Sequence, residues 1–280
     1  MIFDQDNELV LDKPGTLYYD NMANWTREQL LIALNLYHKV SFGKFHAKNK
    51  MLVDISRRMG RKDSALPMKL SNLASLDPEF RKTGRKGLPG ASEYDRIMWT
   101  EYHANLNELA PESEALLAQL LTGDADASIE VKPDGQVNKA PEGPTDSYSS
   151  VKVRRGQRFF RQAVLNAYKS KCAITGLGIR DLLVASHIVP WNVAEQHRLD
   201  PRNGIALNAL HDKAFDRGLI TFDTDLRLVL APSVRAHYTN ATIAQSFKAY
   251  EGKALTLPAE AAGPKAEYLE YHRTKVFDQP

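Results

Sequence analysis

The chain has almost no cysteine and no long apolar run. Its 280 residues contain one cysteine, Cys172, so neither an internal disulfide nor a Cys-x-x-Cys zinc site can form, and a reducing compartment is expected. No apolar stretch reaches the ~18 residues that a membrane span requires. Acidic residues stand at the N-terminus, where a secretory signal needs cations. The sequence therefore predicts a soluble, cytoplasmic protein that makes no membrane contact.

The chain also lacks a strong excess of charge of either sign. It has 37 Lys and Arg against 34 Asp and Glu, a formal net charge of +3, with 43% hydrophobic and 25% charged residues. These are values of globular proteins, which excludes a wholly disordered chain, a collagen and a coiled-coil rod. The distribution of charge is therefore more informative about partners than its total.

One segment differs in composition from the rest of the chain. Residues 121–150 contain three prolines, three glycines and six acidic residues, with few large apolar side chains. Such a segment cannot bury enough surface to offset its ordering entropy. It predicts a flexible linker between a helical domain at 1–120 and a mixed domain at 151–280. The charge then reverses, because residues 151–171 contain seven Lys and Arg and no acid.

The N-terminal part has helical patterns. Thr26 and Gln29 have capping-box spacing, which predicts a helix over 26–39. A second pattern ends at Gly60 and a third begins near Ser64, which predicts a helix-turn-helix. This order resembles Myb/SANT-like DNA-binding modules, and the resemblance implies phosphate contacts by the basic residues Arg57, Arg58, Arg61, Lys62 and Lys69. The alternative is a helical bundle with a solvated basic face.

The C-terminal part alternates between strand and helix patterns. A helix is predicted over 154–169. Apolar runs then predict strands at 182–187 and 203–207, a helix at 208–216 and a hairpin at 219–222 and 226–230. The local order of strand, loop, strand and helix is a ββα unit.

Three spaced motifs lie in this unit: Ala-Ser-His-Ile-Val-Pro-Trp at 185–191, Arg-Asn-Gly-Ile-Ala-Leu at 202–207 and His-Asp-Lys-Ala-Phe-Asp-Arg-Gly-Leu-Ile at 211–220. Together with Cys-Ala-Ile-Thr-Gly at 172–176, they resemble the HNH (ββα-metal) endonuclease superfamily, in particular its restriction endonuclease branch. The resemblance implies an α+β fold, with a helical N-terminal domain followed by an HNH nuclease domain and a helical tail.

The resemblance also implies roles for individual residues. His187 would be the general base, since imidazole titrates near neutral pH, and Asn203 would fix the loop geometry. The metal would be held by Asp212, with His211 and Asp216 ranked behind it. His211 also shares a stripe with Leu207 and Phe215 that should face the core. Ser186 departs from the family, in which an acid or His often precedes the base, so its hydroxyl, a backbone carbonyl or water would fill that ligand position.

These roles predict partners and a cofactor. The substrate would be double-stranded DNA, cut with Mg²⁺ or Mn²⁺ because oxygen ligands favour these ions, and no structural zinc is expected. Four arginines, Arg154, Arg155, Arg158 and Arg161, would neutralise phosphates. One HNH site makes one cut, so cutting both strands would need a homodimer or a second binding event. Two alternatives are a non-catalytic DNA-binding regulator and a nuclease specific for RNA or branched DNA.

Overall fold

The computed structural model describes residues 10–13, 16–18, 25–131, 137–139, 148–193, 195–257 and 263–278. The fold is α+β, with a helical N-terminal region followed by small antiparallel sheets and further helices. No helix among the described residues is long and apolar enough to cross a membrane.

The N-terminal region begins with a hairpin and continues as helices. The hairpin consists of β1 (Val10–Lys13) and β2 (Thr16–Tyr18). Six helices follow, namely α1 (Arg27–Lys39), α2 (Lys50–Arg58), α3 (Ala65–Leu76), α4 (Pro78–Lys82), α5 (Glu93–Ala104) and α6 (Leu106–Thr122). Both hydrogen bonds of the predicted capping box at Thr26 are present. Gly60, at φ +72°, ends the second helix as predicted.

Helix α1 lies at the centre of this region. Leu30, Leu31 and Leu34 are completely buried, and the helix packs against α3, α5 and α6. Lys39, also on α1, is completely buried in an ion pair with Glu114 of α6. A helix that is buried on nearly all sides belongs to the interior of a domain, so α1 organises the others around it.

The C-terminal region contains the predicted ββα unit. After α7 (Tyr148–Ala167), β5 (Leu183–His187) pairs antiparallel with β6 (Gly204–Asn208), and α8 (Ala209–Asp216) packs on both strands. The register places His187 opposite Gly204. The remaining elements are the hairpin β7 (Ile220–Phe222) and β8 (Leu228–Leu230), followed by α9 (Pro232–Arg235), α10 (Ala241–Ser246) and α11 (Ala266–Lys275).

Part of the segment predicted as a linker is structured. Leu121 and Thr122 complete α6, and β3 (Ile129–Val131) pairs with β4 (Val137–Lys139). The side chain of Gln162 on α7 accepts a hydrogen bond from the Val131 amide at 3.1 Å and donates one to the Ile129 carbonyl at 3.1 Å. Composition did not indicate this strand, because its two buried side chains are surrounded by polar residues. The division into separate domains stays a prediction.

Candidate active site

A glycine brings helix α7 against the end of strand β5. A Cβ atom on Gly204 would lie 2.4 Å from Val164 Cγ2 and 2.8 Å from Phe160 Cζ, both on α7. Since real side chains do not tolerate such distances, only glycine permits this approach of helix and strand. The approach places the Phe160 ring flat against the His187 ring, with centroids 3.9 Å apart and an interplanar angle of 9°.

The ring of His187 is fixed in one orientation. Its Nε2 lies 2.9 Å from the carbonyl oxygen of Arg198. Because a carbonyl only accepts hydrogen bonds, Nε2 carries the proton in the neutral ring and Nδ1 keeps its lone pair. Burial lowers the pKa of His187, although the hydrogen bond to Arg198 opposes the shift. The half-buried imidazole is therefore an oriented neutral base near pH 7.

Asn203 holds the loop that orients His187. Its Oδ1 accepts a hydrogen bond from the Val189 amide at 2.8 Å, and its Nδ2 donates to the carbonyls of Val189 and His197 at 3.2 Å each. The side chain is 1% exposed, so water does not compete for these bonds. The carbonyl of Arg198 comes directly after His197, and this clamp therefore positions the acceptor of His187. The role in catalysis that the family resemblance implies for Asn203 stays a prediction.

Two carboxylates lie one turn apart on α8, beside strand β5. Burial raises the pKa of Asp212, while the nearby Ser186 hydroxyl lowers it. Burial also raises the pKa of Asp216, and the charge of Asp212 raises it further. Ser186 is 1% exposed, and its Oγ closes no hydrogen bond of normal geometry with the described residues. The site thus brings together two carboxylates that repel each other and a hydroxyl with unused bonding capacity.

His211, which the resemblance ranked behind Asp212 as a metal ligand, lies in the core. It is 1% exposed, and its Nε2 lies 2.7 Å from the carbonyl oxygen of Ser246. Leu207 and Phe215 are completely buried, so the stripe that they share with His211 faces the core. These contacts favour a packing role, and the assignment of His211 as a metal ligand stays a prediction.

Cys172 lies in the same core and is completely buried. Burial raises the pKa of its thiol, but hydrogen bonds from His211, from the Thr175 side chain and from backbone amides bring it down to about 7. The sequence predicted a small core residue here, and gave no signal for its interaction with His211.

The arginines of α7 are engaged within the protein. Arg155 pairs with Asp126, Arg158 donates to the Ala127 carbonyl at 3.2 Å, and Arg161 donates to the Leu183 carbonyl at 2.7 Å. Arg154 also has an intramolecular interaction. These guanidinium groups hold residues 126–127 and the start of β5. Their predicted contacts with phosphates stay a prediction.

The basic residues of the helix-turn-helix differ in their contacts. Lys69 is buried, with Nζ 2.7 Å from Asp95 Oδ1, so its ammonium is not available to a phosphate. Arg61 donates to Gln29 Oε1 at 2.7 Å and lies 4.5 Å from the centre of the Trp25 ring. Lys62 is exposed and has no ion pair with a described residue. Of these three predicted contacts, Lys62 is therefore the best placed to meet DNA.

The two other predicted contacts of this motif also have acidic partners. Arg57 pairs with Asp63 at 2.8 Å, and Arg58 pairs with Asp54 at 2.8 Å. Both ion pairs are exposed, and such pairs are weak enough to exchange a partner for a phosphate. The structure leaves these two arginines at the surface.

The oxygen atoms beside β5 fit a divalent cation of the magnesium type. Within the described ranges, no three His, Cys, Asp or Glu side chains come together as a metal-binding group. The fit depends instead on Asp212, Asp216 and the hydroxyl of Ser186, which lies beside Asp212. Carboxylate and hydroxyl oxygens are the ligands that Mg²⁺ and Mn²⁺ prefer, and Mg²⁺ commonly keeps several waters.

Comparison with known proteins identifies this region. Residues 172–223 match the model of the HNH endonuclease family, a range that includes β5, β6, α8 and β7. No curated protein matches the chain. The family match therefore confirms the resemblance to the HNH superfamily for the region that contains His187, Asn203 and Asp212.

Proposed function

Because residues 172–223 form an HNH domain, we propose that the protein is a metal-dependent endonuclease that hydrolyses phosphodiester bonds of double-stranded DNA. The observation that carries this proposal is the fixed ring of His187. Its Nε2 is committed to the Arg198 carbonyl, and its Nδ1 is left to accept a proton. The carboxylates of α8 lie beside the same strand.

His187 would remove a proton from the attacking water. General-base catalysis of this kind contributes a factor of about 10²–10⁴ in rate. The lowered pKa keeps the ring unprotonated near neutral pH, and the stack on Phe160 holds the plane of the ring. Asn203 contributes indirectly, because it fixes the loop that carries the acceptor of Nε2.

Asp212, Asp216 and Ser186 would hold the divalent cation. When bound, such an ion polarises the phosphate and stabilises the leaving oxygen as a Lewis acid. The two carboxylates already repel each other, and a cation would relieve that repulsion. The Ser186 hydroxyl, which lies beside Asp212, would supply a further oxygen ligand. Ser186 therefore replaces the acid or His that precedes the base in many relatives.

We further propose a role in restriction or phage defence, as the resemblance implies. Lys62 and the exposed Arg57 and Arg58 of the helix-turn-helix would add phosphate contacts away from the cut. Cleavage of both strands would require a homodimer or a second binding event, since one HNH site makes one cut. These proposals rest on the similarity to the HNH family and on the exposed positions of Lys62, Arg57 and Arg58.

Plasmid nicking tests the proposal directly. With Mg²⁺ or Mn²⁺ the wild-type protein should convert supercoiled plasmid to open circles, and a chelator should abolish the reaction. His187→Ala should lower the rate at least about 100-fold without changing DNA affinity. His237→Ala is the matched control, because this histidine is exposed. Equal cleavage by wild type and His187→Ala would refute the assignment of the base.

A non-catalytic DNA-binding regulator is the second candidate function. The observation that favours it is Ser186, which gives the site a hydroxyl where relatives often have an acid or His. This candidate predicts DNA binding without cleavage at any concentration of Mg²⁺ or Mn²⁺. Branched DNA and RNA belong in the same assay, because cleavage of those substrates alone would identify a structure-specific nuclease.

A further inference from the structure

A cavity of about 330 Å³ lies between the helical region and the HNH region. Its walls come from α1, α4, α5 and the end of α7, together with residues 200–202 and Lys265. This volume lies at the lower end of the range for small-molecule sites. None of the proposed catalytic residues lines it.

Aromatic rings form much of the cavity wall. Tyr37, Phe42, Phe45 and Trp99 line it. The Tyr37 and Trp99 rings meet edge to face, with centroids 5.3 Å apart, and Phe45 lies 6.1 Å from Tyr37. Flat aromatic walls suit a flat aromatic ligand, because nucleic-acid bases stack on aromatic side chains.

The cavity also contains buried polar groups without partners. Asn166 lines it and is 5% exposed, yet neither Oδ1 nor Nδ2 has a hydrogen-bond partner among the described residues. Tyr168 lines it too, and its buried hydroxyl is likewise unpaired within the described part of the chain. An unsatisfied buried polar group is costly in free energy. A donor and an acceptor on one amide, both unused, therefore indicate a ligand that supplies both partners.

Two basic side chains of the cavity wall are each paired with an acidic side chain. Lys265 pairs with Asp200 at 2.9 Å, and Arg202 pairs with Glu79 at 3.4 Å.

Two histidines also line the cavity, with their Nε2 atoms 3.2 Å apart. Burial lowers the pKa of His38, and the neighbouring His103 lowers it further. Burial likewise lowers the pKa of His103. Both rings are therefore neutral near pH 7, and the lining favours an uncharged ligand over a phosphate.

We propose that this cavity binds an adenine ring. Adenine is flat and uncharged, and its N6 amino group and N7 form a donor and acceptor pair on one edge. An asparagine amide pairs with that edge through two hydrogen bonds, and the Asn166 amide is buried and unpaired among the described residues. The ring has two sources that share this chemistry, namely a free nucleoside and a base turned out of a DNA duplex.

Calorimetric titration of the full-length protein with adenosine tests the proposal. The titration contains a chelator, so its result does not depend on nuclease activity. Adenosine should bind, and 7-deazaadenosine should bind about tenfold more weakly because it lacks the N7 acceptor. A second arm uses duplex DNA in which 2-aminopurine stands next to a target adenine, because its fluorescence rises when the neighbouring adenine leaves the stack. Binding of adenosine identifies a free nucleoside, and a fluorescence rise without adenosine binding identifies an extruded base.

Asn166→Leu separates binding from folding. It should lower affinity for the adenine ring about tenfold or more, while thermal stability stays equal or rises because an unpaired buried amide is removed. Tyr168→Phe is a second variant that keeps the ring and removes only the hydroxyl. Asn72→Leu, outside the cavity lining, is the matched control. No response in either arm, or equal affinity in wild type and Asn166→Leu, would overturn the proposal.

Discussion

The ββα unit and the N-terminal helical region use polar residues in opposite ways. In the ββα unit, Ser186 Oγ closes no normal hydrogen bond with the described residues, and Asp212 and Asp216 face each other as like charges. In the helical region, Lys69 is paired with Asp95 and Lys39 with Glu114, all four buried. The polar groups of the ββα unit thus keep bonding capacity for a ligand, whereas those of the helical region use it inside the protein.

Charge alone did not distinguish these two uses. The basic residues around the helix-turn-helix and on α7 predicted DNA contacts, yet several hold neighbouring segments together. A cation that already has a buried acidic partner contributes to folding, and removing that partner leaves an uncompensated charge. Substitutions in the helical region should therefore change stability, and substitutions in the ββα unit should change cleavage.

The largest expected effect concerns the Lys39 and Glu114 pair. Glu114→Leu should lower the free energy of unfolding by about 3–5 kcal/mol, because it leaves the completely buried ammonium of Lys39 unpaired. Urea denaturation measures the loss. The double variant Lys39→Met/Glu114→Leu should recover most of it, since both charges are then absent. A double variant as unstable as Glu114→Leu would show that the pair is not the cause.

The next effect concerns catalysis in the ββα unit. Asp212→Asn should reduce the single-turnover cleavage rate about 100-fold or more, because the carboxylate that is proposed to hold the cation loses its charge. Thermal stability should rise slightly, since the repulsion between Asp212 and Asp216 is relieved. Asp225→Asn, at an exposed turn, is the matched control. A fall in both activity and stability would argue that Asp212 is a packing residue.

A second stacked histidine sharpens the contrast with His187. His272 stacks on Phe215 with ring centroids 3.6 Å apart, but its nitrogens contact Thr221 Oγ1 at 2.9 Å and the Phe215 carbonyl at 3.0 Å. Burial lowers the pKa of His272 to about 4. In the unfolded chain His272 takes up a proton near pH 6.5, whereas in the folded protein it does so only near pH 4. The free energy of unfolding therefore has its full value above pH 6.5 and decreases by up to about 3 kcal/mol as pH falls toward 4.

His272→Gln should therefore weaken the dependence of unfolding free energy on pH between 7 and 4. Denaturation curves at several pH values measure this change. Cleavage at pH 7.5 should stay near the wild-type rate, because both nitrogens of His272 serve packing. An unchanged pH dependence would show that another group is responsible for acid sensitivity.

The smallest expected effect concerns DNA binding by the helix-turn-helix. Lys62→Ala should weaken DNA affinity only a few-fold at low salt and reduce the slope of log affinity against log salt by about 1, the value for one phosphate contact. Electrophoretic mobility shifts at several salt concentrations measure the slope, and stability should not change. Lys69→Met should show the reverse, a loss of stability with an unchanged slope for the folded protein.

Much of the element order could be predicted from local sequence, whereas the use of individual polar residues could not. The ββα order follows from apolar periodicity between turns, and the capping box at Thr26 follows from spacing. The partner of Lys69 is 26 residues away, at Asp95, and no local pattern reveals such a pairing. His211 is an intermediate case, because its stripe with Leu207 and Phe215 already indicated the core. The cavity joins segments that are far apart in the chain, so sequence gave no sign of it.

Helix α7 has a consequence for any attempt to move the HNH region into another protein. The ring of Phe159 meets His38 of α1 edge to face with centroids 5.7 Å apart, while its neighbour Phe160 lies flat on His187. Two successive residues of α7 thus contact the helical region and the imidazole of His187. A fragment of residues 172–223 lacks α7, and it therefore lacks the Phe160 ring that stacks on His187. A segment that is moved into another protein should therefore begin no later than the start of α7.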